Sequence, residues 1–71
     1  MLRVKYERVR RGLSQDTLAV LAGRLSQPDI GLIENGRLIP TTAQLERLAA
    51  IFGVPPDALL LPVEVVEEKR A

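Results

Sequence analysis

Glycine followed closely by a helix-capping residue or a proline recurs four times along this chain, and each recurrence ends one helix and starts the next. Gly12 precedes Ser14, Gly23 precedes Ser26, Gly36 precedes Pro40-Thr41, and Gly53 precedes Pro55-Pro56. Between these signals the apolar period is helical wherever it can be read. Leu2, Tyr6, Val9 and Leu13, at steps of four, three and four, mark a first helix over about 2–11, with Val4 at the margin of the stripe. Ser14 caps a second helix with Asp16 in its first turn; Leu18, Leu21 and Ala22, with Ala19 beside them, form its buried face. Ser26-Gln27-Pro28-Asp29 reads as cap, N1, N2 and N3 of a third helix, with Asp29 returning a bond to the Ser26 amide. Ile30 and Ile33 face the core, and Asn35-Gly36 closes the helix. Thr41 and Gln44 fit a capping box for a fourth helix, whose stripe is Leu45, Leu48, Ala49 and Phe52. Pro55-Pro56-Asp57 begins a fifth helix of one or two turns, containing Leu59 and Leu60, and Pro62 blocks its extension. The fold this implies is all-α, a compact bundle of five short helices containing a helix-turn-helix. Residues 1–61 form its domain, and 62–71 a tail.

Seventy-one residues make a single small core. With 3% aromatic residues that core must be aliphatic. The chain has neither cysteine nor histidine, which excludes disulfides, Cys/His zinc sites, thiol nucleophiles and imidazole bases. An enzyme is therefore not expected, and no metal or cofactor is implied. No apolar run approaches the roughly 18 residues of a membrane span, and the first residues lack the apolar centre of a signal peptide. A cytoplasmic protein is the expectation, with no membrane partner.

The net charge of +1 hides an asymmetry. Residues 1–24 set Arg3, Lys5, Arg8, Arg10, Arg11 and Arg24 against Glu7 and Asp16, a net +4. Residues 25–71 carry a net −3. Such a field can dock one face on a polyanion while the other is repelled, although charges on small helices are also simply solvated.

Two helices of about eight residues around a glycine-containing turn have the dimensions of a helix-turn-helix. Gln15 and Gln27 sit in the first turns of the second and third helices, where free N–H groups meet phosphates and a glutamine amide can bracket an adenine edge. Two exposed surface glutamines would look the same. Gly12-Leu13-Ser14-Gln15, Leu18-Ala19, Gly23, Ser26-Gln27, Ile30, Ile33-Glu34-Asn35-Gly36 and Pro40 together resemble the Cro/repressor (XRE) family of helix-turn-helix DNA-binding domains.

The resemblance runs from about residue 2 to 61 and implies roles position by position. Arg8 and Glu34 match the family's structural salt bridge. Gln15 matches a residue that contacts phosphate and braces the recognition helix. Gln27 matches the first base-reading position, and Pro28, Gly31 and Leu32 the other outward positions of that helix. Asn35 and Arg37 match phosphate contacts. The implied function is a sequence-specific transcriptional regulator that binds double-stranded DNA at a palindromic operator. The alternative is a protein-interaction module, antitoxin-like, with a toxin or other protein as partner. Three departures bear on that choice. The stretch Gly23 to Glu34 is one residue longer than usual, at Arg24. Pro28, Gly31 and Leu32 offer no polar group to a base. Asp29 brings a carboxylate near the phosphates, where helix capping explains it better than cytosine reading.

A homodimer is expected as well. Leu59, Leu60, Leu61, Val63, Val65 and Val66 exceed what so small a core needs, residues 63–67 could pair as a strand, and a palindrome calls for two-fold symmetry.

Overall fold

The computed structural model describes residues 1–64. Among them the chain forms four α-helices, α1 (Arg3–Arg10), α2 (Gln15–Ala22), α3 (Gln27–Glu34) and α4 (Thr42–Phe52), followed by a 3₁₀ turn, Pro56–Ala58. The architecture is all-α, and a helix-turn-helix is formed by α2 and α3. Local chemistry accounts for most of the boundaries. Ser14 Oγ accepts the Thr17 amide at the start of α2. Full capping boxes start α3, between Ser26 and Asp29, and α4, between Thr41 and Gln44. Gly12 and Gly36 end α1 and α3 in the same way. Each takes a left-handed conformation, which lets the next residue's amide reach back five positions, Leu13 to the Arg8 carbonyl and Arg37 to the Leu32 carbonyl. The fifth element is a single 3₁₀ turn, shorter than the one or two helical turns its sequence suggests. Pro55 and Pro56 donate no N–H, and the amides of Ala58 and Leu59 close only three-residue rings.

The core is aliphatic apart from Phe52. It comprises Val4, Leu18, Ala19, Ala22, Ile30, Ile33, Leu48, Ala49 and Leu59 around that ring. Leu45, given to the buried stripe of α4, lies half-buried beside it. Two stripes differ from the sequence reading. In α1 the inward residues are Val4 and Glu7, while Val9 is 52% exposed and Tyr6 half-buried. In α2 the inward residues are Leu18, Ala19 and Ala22, and Leu21 is 54% exposed. On helices this short, a stripe drawn through every apolar residue is wider than the face that a neighbour covers. The apolar end of the chain is also less exposed than its composition suggests. Leu59 is fully buried, Leu60 packs against the core, and only Leu61, 58% exposed, faces water. Val65 and Val66 lie outside the described residues.

That end of the chain completes α1. Leu2 offers no side-chain cap, so the first amides of the helix would be orphaned. Instead the Arg3 amide donates to the Leu61 carbonyl at 2.9 Å, and the Val4 amide to the Leu59 carbonyl at 3.0 Å. An isolated antiparallel bridge joins Leu2 to Pro62, and the Val63 amide donates to the Met1 carbonyl at 2.7 Å. Of the proposed strand 63–67, Val63 makes such a bond, and 65–67 lie outside the described residues.

Glu7 is the least expected core residue. It is 1% exposed and held by Arg3 Nε at 2.7 Å and by Arg11, with Arg10 at 3.8 Å. Arg11 also donates to the Phe52 carbonyl at 2.8 Å and lies over the Phe52 ring, which joins α1 to the end of α4. Burial alone would raise the Glu7 carboxyl pKa. The hydrogen bonds from Arg11 and Arg3, with the charges of Arg11 and Arg10, outweigh it and leave the pKa below its ordinary value. A carboxylate of lowered pKa stabilises the fold above its unfolded-state value and loses that contribution as pH falls through the folded-state value. Thermal melting should therefore show stability falling below about pH 4.3. Glu7→Gln should remove much of that acid dependence and cost about 1–3 kcal/mol at pH 7, since the three arginines can rehydrate when their partner goes. An unchanged acid limb in the variant would assign it to other carboxylates.

Candidate nucleic-acid interface

The helix-turn-helix is fastened at one buried carboxylate. Glu34 ends α3 and is 5% exposed. A negative charge at a helix C-terminus opposes the macrodipole, so this position needs a cation. Arg8 of α1 supplies it in fork geometry, Nε to Oε2 at 2.6 Å and Nη2 to Oε1 at 3.1 Å. The remaining arm of the guanidinium, Nη1, donates to the Leu13 carbonyl at 2.7 Å. That carbonyl lies just past the Gly12 turn, so Arg8 ties the α1–α2 connection to the end of α3.

A third donor reaches the same carboxylate. Gln15, the first residue of α2, donates Nε2 to Glu34 Oε1 at 3.0 Å. This fixes which end of the Gln15 amide is oxygen, and Gln15 Oε1 accepts from Gln27 Nε2. Arg8, Glu34, Gln15 and Gln27 thus form one polar chain that runs from the half-buried Arg8 to the exposed start of α3. It leaves Gln27 with its Oε1 and one amide hydrogen uncommitted. Gly31 belongs to the same arrangement. A β-carbon there would lie 3.6 Å from Gln15 Nε2, so the Gln15 side chain lies across the α3 backbone and half covers Gly31.

The other residues singled out from the sequence fall into two groups. Gln27, Pro28 and Leu32 are exposed on the outward face of α3. Asn35 and Arg37 are exposed beyond its C-terminal end, with Asn35 as the C-cap. Asp29 Oδ2 accepts from the Ser26 amide at 2.9 Å, so its carboxylate serves the helix start. The extra residue of the turn does not lengthen α2, which stops at Ala22. Arg24 takes it up with φ 58°, an arginine in the left-handed region.

The basic first third of the sequence directs part of its charge to carboxylates within the domain. Four of its six cations pair with two carboxylates, Arg3, Arg10 and Arg11 around Glu7 and Arg8 on Glu34, which offsets two of the four charges. Among the described residues, the cations with no carboxylate within ion-pair distance are Lys5, Arg24, Arg37 and Arg47. The inward position of Glu7 was the missed signal. Arg3, Arg10 and Arg11 lie four before, three after and four after it, the neighbour spacings of a helix surface.

Among the described residues no helix is long and apolar enough to cross a membrane, and no group of His, Cys, Asp or Glu could hold a metal ion.

Residues 2–61 match the family described as helix-turn-helix domain, and the chain belongs to that family. It is a helix-turn-helix DNA-binding domain, whose class of partner is DNA. No curated protein and no solved structure matches the chain.

The ion pair at the centre of this arrangement can be tested by a double-mutant cycle. Removing one partner of a buried pair costs about 3–5 kcal/mol, a large part of a small domain's stability. Arg8→Ala and Glu34→Ala should each lower the melting temperature, and the double variant should lose less than their sum. Simple additivity would count against a direct coupling.

Proposed function

We propose that this protein is a sequence-specific DNA-binding transcriptional regulator of the Cro/repressor type, which lays α3 in the major groove of a palindromic operator. The observation that carries this reading is the polar chain ending at Gln27. A base-reading amide must be held in one orientation to discriminate between bases, and a buried ion pair linked through Gln15 provides that hold. Gln27 reads the base edge, with adenine as its natural target. Pro28 and Leu32 contribute apolar contact, Leu32 to a thymine methyl, and Gly31 allows close approach. Gln15, Asn35 and Arg37 face phosphates. Gln15 does so with its remaining amide hydrogen, while its oxygen stays with Gln27. With one polar reading group on α3, discrimination over non-specific DNA sits at the low end of the roughly 10³–10⁷ range.

Selection of bound duplexes from a random library tests the proposal. It should enrich a palindrome, and Gln27→Ala should weaken binding by about 1–3 kcal/mol and relax preference at one base pair per half-site. Arg37→Ala should weaken all sequences alike and shrink the salt slope by about one unit. A Gln27→Ala variant with unchanged affinity and base preference would remove the assignment.

A second reading keeps the fold as a protein-interaction module, with a toxin or another protein as partner. The exposed Val20 and Leu21 of α2 and Leu32 of α3 favour it. An empty selection would shift the choice to this reading.

The proposed regulator works as a homodimer, with residues 1–61 as the DNA-binding domain and 62–71 as a tail, and with the dimer contact on either the short last helix or the tail. Palindrome recognition supports this, because half-sites about 34 Å apart call for two recognition helices related by a two-fold axis. Exposed Leu61 and Met1 beside the Leu2–Pro62 bridge supply apolar surface at that end. Light scattering at about 0.1 mM, well above typical regulatory affinities, should give twice the chain mass. Monomer alone at that concentration, with and without operator DNA, would eliminate the dimer.

A further inference from the structure

We propose that the groove between the α2–α3 turn and the start of α4 is a phosphate-binding site for the DNA backbone, with Arg24 and Arg47 as its cations; this rests on the DNA-binding reading and extends it. The groove has a volume of about 480 Å³ and is lined by Gly23, Arg24, Thr41, Ala43, Gln44 and Arg47. Two guanidinium groups thus line one open groove, and none of the lining residues is a carboxylate. Neither arginine has a carboxylate partner among the described residues, in contrast to Arg3, Arg8, Arg10 and Arg11.

The two cations are presented differently. Arg47 is held in place. Its Nη1 donates to the Ala22 carbonyl at 3.3 Å and lies against Gly23, so it supplies the positive charge that the last turn of α2 lacks. Arg24 is the extra residue of the turn and has a left-handed backbone, a conformation in which glycine would be the unstrained choice. Nothing in the packing of the turn calls for a long cationic side chain there, and Arg24 is exposed. A phosphate in the groove would give it a partner.

The position relative to α3 supports the choice of DNA over another anion. Eight residues of helix span about 12 Å, close to the width of the B-DNA major groove. Arg24 lies three residues before Gln27 at one end of α3, and Arg37 three residues after Glu34 at the other. Exposed arginines thus flank the recognition helix at both ends, and a phosphate contact made there fixes orientation without reading sequence.

The test is the salt dependence of binding to a random-sequence duplex, measured by fluorescence anisotropy with the full chain. Arg24→Gly is the informative variant, because glycine relieves the backbone and the fold should be kept or strengthened. Its melting temperature should equal or exceed that of the parent, while its log–log salt slope should shrink by about 0.9. Arg47→Gln should shrink the slope by a similar amount, and the double variant by about twice as much. The base preference found by library selection should be unchanged in all three. Parent-like slope and affinity in a folded Arg24→Gly variant would overturn the groove while leaving DNA binding by α3 intact. Failure of the parent chain to bind any duplex at low salt would overturn the DNA-binding reading, and the groove with it.

Discussion

The geometry of the domain depends on a carboxylate placed where a helix least favours one. Glu34 lies at the C-terminal end of α3, buried, with the macrodipole against it. Arg8 relieves it from α1 with two parallel hydrogen bonds, and Gln15 adds a third from α2. Three helices therefore converge on one side chain. A buried ion pair of this kind is a weak source of net stability compared with a well-packed apolar replacement. What it supplies here is orientation, since the bonds that satisfy Glu34 also set the direction of the Gln15 amide and, through it, of Gln27.

Glu7, the residue before Arg8, gathers a second set of arginines. Its arginines brace α1 along its own length and, through the Phe52 carbonyl and ring, against the end of α4. Together the two glutamates hold four arginines and offset two of their four charges. The first helix therefore stays basic, with its arginines partly exposed. Among the described residues, the cations without a carboxylate at ion-pair distance are a sparse set, Arg24, Arg37 and Arg47, with Lys5 on α1. For a domain with a net charge of +1, the placement of a few unpaired cations matters more to docking on a polyanion than their number.

Much of the architecture was legible because its determinants are local. A capping residue, a glycine past the last turn and a proline in the first turn act within four residues, so the starts of α2, α3 and α4 could be read directly from Ser14, Ser26 and Thr41. The start of α1 could not. Its caps are main-chain carbonyls of Leu59 and Leu61, which any residue possesses and which arrive from the far end of the chain. Burial in α1 and α2 was read too broadly for a related reason. Val9 and Leu21 are apolar and in phase, yet more than half exposed, whereas Glu7 is polar and buried.

The sequence by itself determined the class of this protein. The order of stop and start signals, the aliphatic core and the pairing of Gly-Leu-Ser-Gln with Ile-Glu-Asn-Gly restrict it to a small helical bundle with a helix-turn-helix, because each of those features acts on its own few residues. Only the tertiary structure decided which charges are buried. Spacing can name the arginines beside Glu7, and the family resemblance the partner of Glu34, but the burial of both glutamates depends on how the helices pack. The same packing left Gln27 at the end of a polar chain and set Arg24 and Arg47 across one groove, two arrangements between residues too far apart in sequence for any local rule to connect.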